Sequence, residues 1–251
     1  MSIAVQDVSV RFGGVHALTG VSFAVEEGQT CGVIGPNGAG KTTLFDVVTG
    51  LRRPSSGSVL LRESDVTRVG AVKRSRLGLR RTFQRPQVFG RLTVLENVLT
   101  AVEWHGGGGG LAADLLALPG RRKLERARRE RAADALDRCG IGDLCDAYAA
   151  ELPIGQRRMV ELARAIVDAP SVLLLDEPTS GLDGDQADRF AAVISKLAED
   201  HDTTILLVEH DVGFVMKACE RIVVLDLGKI IADGSPAAVR EDPAVRAAYL
   251  G

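Results

Sequence analysis

Gly35-Pro36-Asn37-Gly38-Ala39-Gly40-Lys41-Thr42 fits G-x-x-x-x-G-K-[ST], the pattern of a loop that cradles the phosphates of a nucleotide. Its flanks supply the context such a loop needs. Thr30 to Ile34 is a short apolar run, readable as a strand, and Thr43 to Thr49 begins a helix. The glycines let successive backbone N–H groups converge on an anion, and the helix N-terminus adds partial positive charge at the same point. Lys41 is placed to reach the outer phosphates, and the Thr42 hydroxyl to ligate Mg²⁺. A glycine-rich turn matching by chance would lack the strand before it and the helix after it. By itself the loop says only that a phosphate chain binds.

The 251 residues are 45% hydrophobic and 25% charged, enough for one large domain or two small ones with a real core. The net charge of −2 offers no overall basic field, so nucleic acid is not an expected partner. Basic residues do cluster locally. Lys73, Arg74, Arg76, Arg80, Arg81 and Arg85 form one group. A second runs from Arg121 to Arg131, interleaved with Glu125 and Glu130 at helical spacing, and reads as a solvated helix face. Cys31, Cys139, Cys145 and Cys219 show no metal or redox spacing, which suits a reducing compartment. The N-terminus lacks a signal-peptide pattern, and the longest apolar runs fall far short of the about 20 residues of a membrane helix. A soluble chain is expected. If it serves a membrane process, other chains must cross the bilayer.

Short strands are predicted at Ile3–Arg11, Val21–Val25, Thr30–Ile34 and Ser58–Arg62. From Leu92 to Tyr148 the pattern turns helical, interrupted by the glycine run Gly106–Gly110 and by Pro119-Gly120. Alternation then resumes: helix Gln156–Val167, strand Ser171–Leu175, helix Gln186–Ala198, strand Thr203–Val208, helix Val212–Ala218, strands Arg221–Leu225 and Lys229–Ile231. Continuous apolar strands between helices predict an α/β core with a mainly parallel sheet covered on both faces. An antiparallel β-subdomain precedes it, and an α-helical subdomain is inserted. The expected division is 1–84 with 152–251 for the core, and 85–151 for the insertion.

Ser171 to Leu175 leads into Asp176-Glu177-Pro178. A carboxylate at a strand tip beside a phosphate loop can hold Mg²⁺ through water, which assigns Asp176. Glu177 is then placed to polarise an attacking water. His210 follows the strand ending at Val208, and a neutral imidazole there can bond a γ-phosphate oxygen. Phe12 offers a flat face for adenine, with an ordinary edge aromatic as the plain alternative.

With these residues in order, the chain resembles the ATP-binding subunit of an ABC transporter over essentially its whole length. Gly35 to Thr43 resembles Walker A, so Gly35, Pro36, Asn37, Gly38, Ala39, Gly40, Lys41, Thr42 and Thr43 are implied nucleotide contacts. Asp176 and Glu177 match Walker B and its catalytic glutamate. Gln84, in Arg81-Thr82-Phe83-Gln84, matches the Q-loop and is implied as both a metal contact and a catalytic group. Ser180-Gly181-Leu182-Asp183 matches the D-loop, with Asp183 implied to couple two sites, and His210 matches the switch histidine. The resemblance implies a P-loop NTPase fold, ATP and Mg²⁺ as ligands, and catalysis by Lys41, Glu177, His210 and Gln84.

Leu152-Pro153-Ile154-Gly155-Gln156 falls where the family signature LSGGQ belongs, and it departs from it. Two cassettes of the family sandwich two nucleotides, each signature facing the other's Walker A. Pro153 replaces the usual Ser and Ile154 the first Gly; Pro153 has neither hydroxyl nor backbone N–H to offer a γ-phosphate, while Gly155 and Gln156, the implied contacts to that nucleotide, keep their N–H groups. A weakened signature implies a non-identical second cassette as partner. The resemblance further implies transmembrane permease subunits, an extracytoplasmic solute-binding protein acting indirectly, and a place on the cytoplasmic face of the membrane.

Arg11-Phe12-Gly13-Gly14, Leu92 to Val98, Val208 to Asp211 and Ala248-Tyr249-Leu250-Gly251 resemble the branched-chain amino acid importers within that family; related amide and lipopolysaccharide cassettes share part of the pattern. The competing readings are a non-transport ABC ATPase, a GTPase, and a silent nucleotide-binding module. The interval from Gln84 to Leu152 is too short for the long arm of the first. The second needs an Asn-Lys-x-Asp base reader, which neither Asn37 nor Asn97 provides. Lys41, Glu177 and His210 argue against the third.

Overall fold

The computed structural model describes residues 1–103, 119–201 and 203–250. The glycine run Gly106–Gly110 lies outside them. The chain forms two compact units, Met1–Gln84 with Ser171–Gly251, and Arg85–Pro170.

The first unit holds two sheets. β1 (Ile3–Phe12) and β2 (Val15–Val25) form a hairpin turning at Gly13-Gly14, with Gly13 in the left-handed region at φ 57°. β1 pairs on its other side with β4 (Ser56–Leu61), which pairs with the two-residue β5 (Ser64–Asp65), all antiparallel. β2 begins at Val15, six residues before the expected Val21. Register shifts between Val5 and Arg11 break the alternation there, which is why the early half of β2 does not read as a strand.

The second sheet has the order β10-β9-β3-β8-β7-β6. β6 (Leu79–Arg81), β7 (Val172–Asp176), β8 (Thr204–Val208), β3 (Thr30–Ile34) and β9 (Arg221–Asp226) are parallel; β10 (Lys229–Gly234) closes one edge antiparallel. Every residue of β3, β7 and β8 is buried, as continuous apolar runs in a sheet covered on both faces require. One buried cluster joins β1 and β2 to β3, β7 and α1 (Lys41–Thr49), with Leu44, Phe45, Val47 and Val48 on the helix side. It fixes α1, and so the loop before it, against both sheets.

Val208 pairs with Val33 on one side and with Asp176 on the other. The C-terminal tips of β3, β8 and β7 therefore end side by side. That edge of an open α/β sheet is where ligands bind.

In the second unit, α3 (Val94–Glu103) opens with a reciprocal capping box: Glu96 N donates to Thr93 Oγ at 3.2 Å, and Thr93 N to Glu96 Oε2 at 2.8 Å. α4 (Pro119–Arg138) starts at Pro119, which opens the helix where the sequence predicts an interruption; proline at a first turn forfeits no helical hydrogen bond. Exposed Arg126 and Glu130 pair at 2.8 Å one turn apart, so this stretch is a solvated face. α5 (Ile154–Ile166) packs on α3 and α4. This corrects the expected division. Residues 152–170 group with the helical unit, and the boundary falls between Pro170 and Ser171. No described helix is long and apolar enough to cross a membrane.

Candidate functional site

The phosphate loop leaves β3 at Gly35. A Cβ on Gly35 would drive into Leu225 O of β9, and one on Gly40, at φ 103°, would lie 2.6 Å from Ala17 O. The loop is thus pressed against neighbouring backbone at both ends, where a side chain cannot enter. Ala39 is buried and its carbonyl accepts from Gly228 N at 3.0 Å, while Asn37 and Gly38 are exposed at the crest and Pro36 is half-buried. α1 starts directly after Gly40 with Lys41, exposed Thr42 and half-buried Thr43.

Lys41 is 8% exposed, and its ammonium donates to Gly35 O at 2.6 Å and Pro36 O at 3.0 Å. Burial pushes its pKa down from the usual lysine value, and the Glu177 carboxylate opposes the shift. The amine is held over the loop it is expected to serve.

Asp176 ends β7 at 8% exposure. Arg81, at the end of β6, donates to Asp176 Oδ2 at 2.7 Å and to Asp46 Oδ1 of α1 at 2.8 Å. Three residues on, Gln84 Nε2 donates to Glu177 Oε2 at 2.6 Å. The β6 edge therefore latches both acids, Arg81 on one and Gln84 on the next. The Arg81 bridge was missed at the sequence level, where the residue reads only as one of a basic group.

Glu177 adopts φ 45°, a left-handed conformation rare for a non-glycine residue and typical of strain held at functional sites. Exposed His210 follows β8, its N–H donating to Glu209 Oε2 at 2.9 Å. Asp183 is exposed and its carboxylate accepts from Gln186 N at 2.8 Å, capping α6 (Gly184–His201). Phe12 is 42% exposed at the end of β1, with the Arg52 guanidinium 4.2 Å from its ring centroid. Arg52 carries no motif that would have singled it out.

The first unit thus brings together the loop, Lys41, Thr42, Asp176, Glu177, Gln84 and His210. Gly155 and Gln156 belong to the other unit, in the first turn of α5. Pro153 is the N-cap of that helix and makes no side-chain cap. The first helical bond is Arg157 N to Pro153 O at 3.1 Å, so the N–H groups of Ile154, Gly155 and Gln156 precede the helical ladder. Arg157 also donates to Leu152 O and Ala150 O, at 2.8 and 2.7 Å, fixing the turn.

Residues 18–180 match the family model described as ABC transporter. The chain belongs to the ABC transporter ATP-binding family. It is accordingly an ATPase cassette, of a family that binds nucleotide and works with permease subunits. Residues 229–251 match a second model, the branched-chain amino acid ATP-binding cassette transporter. The cassette is 39% identical to the high-affinity branched-chain amino acid transport ATP-binding protein BraF of Pseudomonas aeruginosa, over 99% of this chain and 97% of that protein. It is 37% identical to LivG of Escherichia coli, described in the same words, with the same coverage. Its backbone superposes on the crystal structure of an ABC transporter cassette in its ADP conformation with a TM-score of 0.86 at 32% identity, covering 100% of this chain and 98% of that one.

Proposed function

We propose that this cassette hydrolyses ATP to power the import of branched-chain amino acids, or of a closely related amino acid or amide, from the cytoplasmic face of the membrane. The observation that carries the substrate class is the end-to-end identity with BraF and LivG, reinforced by the match over the C-terminal residues 229–251. The partners are two permease chains, an extracytoplasmic solute-binding protein reached through them, and a second cassette that differs from this one.

Adenine stacks on Phe12, and the phosphates lie in the loop from Gly35 to Thr43, where backbone N–H groups, Lys41 and the start of α1 hold them. The residues present fit Mg²⁺. The Thr42 hydroxyl is exposed at the helix start, and Arg81 takes Oδ2 of Asp176 and leaves Oδ1 for a metal-bound water. Bound there, Mg²⁺ would neutralise charge developing on the phosphates. Gln84 adds an amide beside the metal position, Glu177 orients water in line with the γ-phosphate, and His210 bonds a γ-phosphate oxygen. Gly155 and Gln156 serve the partner's nucleotide, and Asp183 lies on the segment linking the two sites.

Co-purification with permease chains, followed by ATPase assays in proteoliposomes, tests the assignment. Hydrolysis stimulated by leucine, isoleucine or valine with the binding protein supports it. Stimulation by unrelated solutes only, or no association with a permease, overturns it.

A further inference from the structure

Glu209 is 0% exposed, and no motif assigns it a task. It sits between Val208, the last residue of β8, and His210. Its Oε1 accepts from Thr179 N at 2.8 Å and Thr179 Oγ at 2.6 Å. Its Oε2 accepts from His210 N at 2.9 Å and, at longer range, from Asp211 N at 3.4 Å. His210 Nδ1 lies 3.5 Å from the same oxygen. Three N–H groups and a hydroxyl thus hold a buried carboxylate, which is otherwise costly to desolvate.

The residue between these contacts is Glu177. Its own N–H donates to Val208 O at 2.9 Å, and Thr179, two positions on, is bound by Glu209. Consecutive residues of the β8 tip therefore clamp the backbone on both sides of Glu177, where it holds φ 45°. A non-glycine residue keeps that conformation only where its surroundings over-determine it.

We propose that Glu209 is a positioning residue shared by Glu177 and His210. One oxygen fixes the turn that aims the water-orienting carboxylate, and the other fixes the backbone that presents the imidazole, so the two groups keep one separation. The inference rests on the roles given to Glu177 and His210 above. Glu209→Gln keeps the shape but turns an NH₂ donor toward one of the two donor sets, so one side of the clamp is lost. Thr179→Val removes only the hydroxyl and leaves the N–H bond.

The test is single-turnover ATP hydrolysis by the full chain, with binding of a fluorescent ATP analogue, in the parent and in a Glu177→Gln background. Glu209→Gln is expected to slow hydrolysis about 10- to 100-fold, the usual penalty for removing an outer-shell partner, while analogue affinity stays within about twofold. Thr179→Val is expected to slow it in the same direction by about 3- to 10-fold. In the Glu177→Gln background Thr179→Val should not slow the residual rate further, because the orientation it supplies has lost its object, and Glu209→Gln should slow it by less than in the parent, through the His210 side alone. Parental rates in both variants, or an undiminished fold loss from either variant in the Glu177→Gln background, would overturn the proposal. If Glu209→Gln does not fold, Thr179→Val decides. Glu177→Gln hydrolysing at the parental rate would instead overturn the role of Glu177 itself, so the two failures are distinguishable.

Discussion

Phe12 and Arg81 show what single side chains contribute at this site. Base stacking on an aromatic face is worth about 1–3 kcal/mol. Phe12→Ala should therefore weaken ATP binding by that amount in titration calorimetry, and Phe12→Tyr should keep it. Arg81 is 9% exposed between two carboxylates. Arg81→Met would leave Asp176 and Asp46 charged without their cation, a change that typically costs about 3–5 kcal/mol for buried pairs. Asp46 is 29% exposed, so the lower end applies, read as a lowered urea midpoint. The acids themselves were legible because a carboxylate at the end of an apolar strand, after a phosphate loop, has few other uses. Arg81 was not. Six basic residues between Lys73 and Arg85 look alike in sequence, and only packing separates them.

Arg74 makes the same point among the elements. It is 0% exposed, and its guanidinium donates to Val47 O and Val48 O at the end of α1 and to Val66 O and Val69 O of the loop after β5, at 2.6 to 2.8 Å. Burial pulls its pKa down to about 10. It closes the C-terminus of the phosphate-loop helix, where the last carbonyls lack helical partners. Arg74→Met would strand Val48 O and Val69 O at about 1–3 kcal/mol each, while Val47 O keeps its bond from Gly50 N and Val66 O its bond from Val69 N, so global stability should fall by a few kcal/mol in chemical denaturation. The buried strands β7 and β8 were visible in sequence because burial on both faces leaves a nearly unbroken run of Val, Leu and Ile, and β3 (Thr30-Cys31-Gly32-Val33-Ile34) because an apolar run leads straight into the phosphate loop. β6 has three residues, and the α2 helix (Ala71–Arg76) before it six, too few for any period to emerge. Their places are set by pairing with β7 and by the Arg74 contacts, long-range interactions that a local pattern does not encode.

At the scale of the whole molecule, the proposed function divides each nucleotide site between two cassettes. On that proposal, Gly35 to Thr43, Glu177 and His210 supply the near side for one nucleotide. The same proposal makes the turn Leu152 to Gln156 the chain's contribution to a second site. Pro153 caps α5 there without a side-chain bond. A hydroxyl at that position has two possible uses. It can accept from Gln156 N, worth about 0.5–2 kcal/mol of stability, or it can donate to the partner's γ-phosphate. These uses separate in experiment. Pro153→Ser should raise the melting temperature of the isolated chain if capping is all that is gained. If the turn is the weaker half of an asymmetric pair, the same change should also tighten ATP-driven association with the second cassette by about 1–3 kcal/mol, the value of one or two charge-assisted hydrogen bonds. Sedimentation of the two-cassette mixture with ATP, in a Glu177→Gln background that preserves the bound nucleotide, measures that term free of turnover. A higher melting temperature with unchanged association would assign Pro153 to helix geometry alone, and would remove the reason for expecting a non-identical partner.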